Sequence, residues 1–415
     1  MKRVRLQRFL FLSLAGAVAA TAGCSGSSSS SSTGGGGGGG GGSTANVQAI
    51  TVNTGPTAAP PLNSPYINGA FTSVTVCAPG STTTCQTISG ILVDTGSSGL
   101  RILSSALTIS LPRQTASNGN PIVECFPFVD GITWGPVETA DMTIAGEQAE
   151  ALPIQVIGSS NFPTIPNACT SFGAPEDDLS TLGANGILGV GNLAQDCGTA
   201  CTVSGASNPG LYYTCPAAGC EVTAQSLASQ VQNPIVLFAK DNNGVIIKLP
   251  SVTGSETSVS GSMIFGIGTQ TNNALGSATV YTIDPSSGNF TTVFNNVTYQ
   301  DASFLDTGSN AIYFLDSNTT GMPICTDATF WYCPTTTQNF SATNKGTNGA
   351  SASINFSVGN ADSLTASQTV GVANGLGGPD TGTFDWGLPF FFGRTVYTAI
   401  EGQNTPGGMG PYWAY

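Results

Sequence analysis

The 415-residue chain has no histidine, 10 Lys and Arg against 23 Asp and Glu, and only 8% charged residues. The missing histidine excludes Ser-His-Asp and Cys-His nucleophile systems and every His-ligated zinc or haem site. The low charge content excludes a coiled coil and a charge-rich disordered chain, while 40% hydrophobic residues suffice for one large or two medium domains.

The first segment, residues 1–24, reads as a processing signal. Lys2, Arg3, Arg5 and Arg8 precede the apolar run from Phe9 to Ala20, which is too short to span a bilayer as a mature helix. Thr21-Ala22-Gly23-Cys24 then resembles a bacterial lipobox, with Thr21 where Leu is usual. An ordinary secretory signal with a nearby Cys is the alternative. The lipoprotein reading is preferred because a low-complexity tether follows at once, and it makes Cys24 the site of lipid (palmitate) attachment. By the same resemblance, Ser25 after Cys24 points to the outer membrane of a diderm cell, with the face left open.

Residues 25–46 form the tether, almost pure Ser and Gly from Ser25 to Thr44. With nothing to bury, about 20 such residues reach roughly 25 Å on average, enough to hold a domain off a membrane surface. Past the signal, the basic residues are only Arg101, Arg113, Lys240, Lys248, Lys345 and Arg394, against all 23 acidic ones. Phosphate backbones repel such a chain, so no nucleic-acid partner is expected.

From Val47 onward, short β-branched and aromatic runs alternate with Gly, Asn, Ser and Pro clusters. Strands are expected at Ala70–Val76, Ile88–Val93, Ala140–Ile144, Ile235–Phe238, Gly244–Leu249, Ser262–Gly266, Thr291–Tyr299 and Thr395–Ile400. Ala224–Val231 is the best short helix candidate. The fold class is therefore mostly β. The Gly/Asn-rich stretch Gly268–Gly276 divides it into an N-terminal lobe, 47–275, and a C-terminal lobe, 276–415.

Eleven cysteines fit an exported chain. With Cys24 lipidated, ten remain. Local pairs are expected at Cys77–Cys85, Cys125–Cys169 and Cys325–Cys333, with a knot among Cys197, Cys201, Cys215 and Cys220. The C-x3-C and C-x4-C spacing of that knot also admits a loose zinc site. Export favours disulfides, whose pairing spacing alone does not give.

One feature recurs at long range. Residues 91–98 read Ile-Leu-Val-Asp-Thr-Gly-Ser-Ser, and 303–309 read Ser-Phe-Leu-Asp-Thr-Gly-Ser. In each, an apolar strand feeds a sharp turn carrying Asp94 or Asp306. A third Asp-Thr-Gly at 380–382 lacks such a strand and is read as a turn. Brought face to face, two carboxyls cannot both ionise easily, so they share a proton. One then serves as general acid and the other as general base towards a water between them. Thr95 and Thr307 are expected to brace the turns. Gly96 and Gly308 admit the backbone to the carboxylates, with Ser97 and Ser309 beside them. A pair of Asx-type turns stabilising β-loops is the plain alternative.

The exported part resembles pepsin-like aspartic peptidases: two β-lobes, each contributing one Asp, with a cleft between. The resemblance rests on the two Asp-Thr-Gly-Ser loops and on segments in family order. These are Asn185–Gly191 behind the first loop, Gly261–Gly266 closing the first lobe, Thr291–Asp306 leading into the second loop, and Phe384–Glu401 closing the chain. The run Phe-Asp-Trp-Gly-Leu-Pro-Phe-Phe-Phe-Gly-Arg also resembles a family of bacterial lipoproteins of unassigned function with this fold. The resemblance implies catalytic Asp94 and Asp306, no metal, no cofactor, a peptide or protein substrate and a monomer. It places the flap at 128–135, with Asp130, Gly131 and Trp134, and puts Phe128 where the family has Tyr. Arg101 replaces the Trp that usually partners that Tyr. Trp134 is read either as a lid or as core, and Arg101 as a surface residue or as an ion-pair partner of Asp130. No basic pro-segment lies in residues 25–46. Three functions remain open: an exported endopeptidase, a catalytically silent pepsin-like binding lipoprotein, and an adhesive β-lipoprotein.

Overall fold

The computed structural model describes residues 45–56, 65–285 and 287–415. The signal, Cys24 and the tether up to residue 44 lie outside the described residues. Where description begins, the chain is already held. The Asn46 N–H donates to the Ala145 carbonyl at 2.8 Å, and Asn46 Nδ2 donates to the Phe265 carbonyl at 2.8 Å. Among the described residues no helix is long and apolar enough to cross a membrane.

The N-terminal lobe is built from β1 (Val47–Asn53), β2 (Gly69–Cys77), β3 (Cys85–Asp94), β4 (Ser98–Leu103), β5 (Ile122–Pro127), β6 (Ile132–Ile144) and β7 (Glu147–Ile157). It continues with β8 (Gly186–Val190), β9 (Tyr212–Thr214), β10 (Glu221–Val222), β11 (Gly244–Lys248), β12 (Ser255–Glu256) and β13 (Val259–Phe265). Period-2 alternation accounts for the half-buried strands, as in β2, where Val74 and Val76 face the core and Ser73 and Thr75 do not.

The C-terminal lobe adds β14 (Val280–Thr282), β15 (Phe290–Phe294), β16 (Val297–Leu305), β17 (Ile312–Leu315), β18 (Gln338–Lys345), β19 (Ser351–Val358) and β20 (Val372–Ala373). It closes with β21 (Gly377–Gly378), β22 (Asp380–Trp386), β23 (Thr395–Ala399), β24 (Asn404–Thr405), β25 (Gly408–Met409) and β26 (Tyr412–Ala414). A seven-stranded sheet, β19-β18-β15-β16-β22-β17-β21, forms its body. Strands β12 with β20 and β24 with β25 form separate pairs, while a fifteen-stranded sheet takes in the other strands. Within it β1, β13 and β11 continue into β23, β26 and β14, so strands from both ends of the chain share one platform. The architecture is mostly β and bilobal, as the sequence indicates.

The lobes repeat one arrangement. β3 runs parallel to β8, which returns antiparallel to β4; β16 runs parallel to β22, which returns antiparallel to β17. Buried strands carry these turns, and the apolar runs Ile91-Leu92-Val93 and Phe304-Leu305 are those strands.

Several expectations need correction. Ala224–Val231 is not a helix; only Leu227–Ser229 makes a 3-10 turn, since the segment is too short to nucleate more. Ile235–Phe238 is not a strand; Pro234 opens a 3-10 turn over Pro234–Leu237, capped by Asn233. The third Asp-Thr-Gly is not a free turn but opens β22, with Asp380 Oδ1 accepting the Gly382 N–H at 2.8 Å. The three expected disulfides are present, and the four-cysteine knot resolves into Cys197–Cys201 and Cys215–Cys220. That pairing consumes every thiolate the zinc alternative needs.

Candidate active site

Asp94 ends β3 and Asp306 follows β16. Their turns clasp each other. The Thr95 N–H donates to Thr307 Oγ1 at 3.1 Å, and the Thr307 N–H donates to Thr95 Oγ1 at 3.0 Å. Each hydroxyl donates in turn across the junction, Thr95 to the Leu305 carbonyl at 3.1 Å and Thr307 to the Val93 carbonyl at 2.7 Å. Four bonds thus fix the two loops with two-fold regularity, and no buried donor in the clasp is left unpaired.

The carboxyls are held in matching ways. Gly96 N–H donates to Asp94 Oδ1 and Gly308 N–H to Asp306 Oδ1, both at 2.7 Å. Ser97 Oγ donates to Asp94 Oδ2, and Ser309 Oγ to Asp306 Oδ2 at 2.9 Å. Glycine is required at both turns because the opposite carboxyl fills the space. A Cβ on Gly96 would lie 2.7 Å from Asp306 Cγ, and one on Gly308 would lie 2.9 Å from Asp94 Oδ1. Gly189 on β8 and Gly387 just after β22 admit the loop backbones in the same way.

Asp94 is 1% exposed and Asp306 0%. Burial pushes the Asp306 carboxyl well above the usual carboxylate range; the charges of Asp94 and then Asp385, and a hydrogen bond with the Asp94 carboxyl, act in the same direction. The Gly308 N–H pulls the other way, less strongly. Two carboxyls so close titrate as a pair, and their proximity favours a single shared proton.

The hairpin expected to form the flap is β5–β6, with Phe128–Gly131 at its tip and the Phe128 N–H donating to the Gly131 carbonyl at 2.7 Å. The tip is tied to the loop between the short helices Asn167–Thr170 and Leu179–Leu182. Ile132 N–H donates to the Ala174 carbonyl and Glu176 N–H to the Ile132 carbonyl, both at 2.8 Å. Phe128 is buried edge-on against Phe126. Trp134 is core and not a lid: its indole donates to the Phe162 carbonyl at 3.0 Å and its ring meets Tyr213, beside Cys125 and Cys169. Asp130 sits half-buried at the tip.

Arg101 departs from both of its expectations. It is 0% exposed, and it pairs not with Asp130 but with Glu124 at 2.7 Å and Asp196 at 2.9 Å. The reason is position. Arg101 on β4 reaches Glu124 on β5, and Tyr212, in register with Glu124 on the neighbouring β9, holds Asp196 beside the same guanidinium. Tyr212 Oη bonds both Asp196 oxygens and accepts the Val231 N–H at 2.7 Å. The guanidinium lies 3.7 Å from the Phe126 ring centroid. Burial and then Glu124 raise the Asp196 carboxyl well above its ordinary range, against the opposing Arg101 charge.

Sequence reasoning passed over two further groups. Asp385 is 1% exposed on β22, facing Phe304 in register. A charged residue inside the apolar Phe384–Phe392 run was its signal. Tyr66 packs against Phe71, and its hydroxyl has no hydrogen-bond partner among the described residues. Burial first, then the charges of Asp130, Glu176, Asp306 and Asp94, raise its phenol well above the ordinary value. No local pattern marks it. The one His/Cys/Asp/Glu cluster of metal-binding size among the described residues is Cys325, Cys333 and Asp362, whose two sulfurs are joined in a disulfide.

A family model described as "Protein of unknown function (DUF3443)" matches residues 42–415. The chain belongs to that family. Among solved structures, it is similar to the aspartic proteinase from Irpex lacteus, with 15% identity, 89% of this chain and 96% of that chain covered, and a TM-score of 0.51. At that identity the likeness shows the fold, a pepsin-like one. No curated protein matches the chain.

Proposed function

We propose that this DUF3443 chain is an exported, lipid-anchored aspartic endopeptidase. The signal at 1–24 directs export, Cys24 carries the lipid, and residues 25–46 tether two lobes, 47–275 and 276–415, at an outer membrane as a monomer. The observation that carries the proposal is the carboxyl pair, Asp94 and Asp306 set side by side under a symmetric clasp, with the Asp306 carboxyl raised above its usual range.

A water between the carboxyls loses a proton to the ionised one as its oxygen bonds to the peptide carbonyl carbon. The protonated carboxyl donates to the carbonyl oxygen, giving a neutral gem-diol. The carboxyl that took the water proton then passes it to the amide nitrogen, the other carboxylate takes a proton back from one gem-diol hydroxyl, and the C–N bond breaks to amine and carboxylic acid, which restores the pair to its starting state. The full chain is expected to cleave denatured protein at acid pH. Asp94→Asn or Asp306→Asn should lower the rate about a thousandfold. Both variants remaining as active as the parent would sink the dyad. Cys24→Ala should move the protein from the membrane to the soluble fraction, and unchanged membrane retention would refute the anchor.

A catalytically silent binding lipoprotein is the second reading. Phe128 in place of a flap tyrosine and the near-complete burial of both carboxyls favour it. Absence of cleavage from about pH 2 to about pH 8, with saturable binding of a partner, would select it over the enzyme.

A further inference from the structure

Three arginines lie among the described residues, and two of them have acids. Arg101 lies between Glu124 and Asp196, and Arg113 is 3.5 Å from Glu138. Arg394 has no carboxylate within ion-pair distance among the described residues. Its guanidinium donates to the Phe390 carbonyl and lies 4.5 Å from the Phe390 ring centroid. Burial pushes its pKa down, opposed only by Tyr415. This half-buried guanidinium has no counter-ion among the described residues, and its remaining N–H donors form a planar fork suited to a carboxylate.

Arg394 lines a cavity of about 760 Å³ in the C-terminal lobe. The β18–β19 hairpin supplies one wall with Phe340, Asn355 and Phe356; Trp386 and Phe392 supply others. This volume suits a small molecule, and the lining sets aromatic rings beside Ser and Asn side chains and a single charged group. None of the residues clasping the carboxyl pair lines it. The acid-rich chain repels anions at long range, so an occupant needs apolar contact as well as charge.

We propose that this cavity binds a small amphipathic carboxylate, its head on the Arg394 guanidinium and its apolar body against Phe340, Phe356 and Phe392. The site does not depend on peptidase activity. The test is calorimetric titration of the full chain with 4-phenylbutyrate and with 4-phenylbutanol. Saturable binding of the acid, about tenfold or more tighter than of the alcohol, is expected. Arg394→Gln should weaken the acid at least about tenfold and leave the alcohol unchanged. Asn355→Asp, an exposed position on the cavity wall, should also weaken the acid by repulsion without touching Arg394. It keeps the test decisive if Arg394→Gln unfolds. No saturable binding in the millimolar range, equal binding of acid and alcohol, or indifference to both substitutions would overturn the proposal.

Discussion

Asp385 occupies in the second lobe the place that Ile187 occupies in the first. Leu92 faces Ile187 where β3 meets β8, and Phe304 faces Asp385 where β16 meets β22. One half of the repeat thus sets a buried carboxyl, and the other an aliphatic side chain, opposite the residue two before the loop aspartate. The Asp385 charge adds to burial and Asp94 in raising the Asp306 carboxyl. Asp385→Asn or Asp385→Ile should therefore shift the alkaline limb of the pH–rate profile to lower pH, while Asp385→Glu should keep it near the parent. An unchanged limb in all three variants would show that Asp385 does not tune the pair.

Stability should be greater in acid than in alkali. Asp306 and Asp196 both have folded-state values raised well above the ordinary one. The folded state binds their protons more tightly than the unfolded chain does. Their contribution is fully present below the unfolded value, near 3.8, and is lost as pH rises through the raised folded values. Thermal melts across pH check this; a midpoint that climbs steadily from acid to alkaline pH would contradict it.

Arg101→Leu should destabilise by about 3–5 kcal/mol near neutral pH, because Glu124 and Asp196 would remain buried without their cation. The defect should shrink as pH falls, since a proton on Asp196 removes one of the two charges. Denaturant titrations of parent and variant at two pH values measure the difference. A defect that grows in acid would exclude the charge explanation.

Thr307→Val deletes one hydroxyl but two clasp bonds, the one donated to Val93 and the one accepted from the Thr95 N–H. It leaves a buried donor unpaired, and a cost of about 1–3 kcal/mol is expected. Thr95→Val should cost a similar amount, because the clasp is symmetric. Equilibrium unfolding gives both numbers. If only one position matters, the two loops are not mechanically equivalent.

Gly96→Ala drives a methyl to within 2.7 Å of Asp306 Cγ and should displace that carboxyl from Asp94. In an active enzyme the loss should be about a hundredfold or more in kcat, with KM little changed. Parent-like kcat in a folded variant would mean that the spacing of the carboxyls is not critical.

Local features were legible from the chain alone. The repeated apolar run into Asp-Thr-Gly-Ser identified both loops, because strand, turn and carboxyl are adjacent in sequence. The alternation of β-branched residues with turn residues gave the mostly-β class. Cys77–Cys85 and Cys325–Cys333 were readable because a separation of eight residues brings strand or loop partners together with little loop entropy. Tertiary structure decided what lies beside these features. Arg101 finds acids 23 and 95 residues away, and Tyr66 shares the field of Asp94 and Asp306 from another segment. Asp385 reaches Asp306 only because β22 lies parallel to β16. Coulomb interactions depend on distance in space, and the packing that sets those distances leaves no periodic trace along the chain.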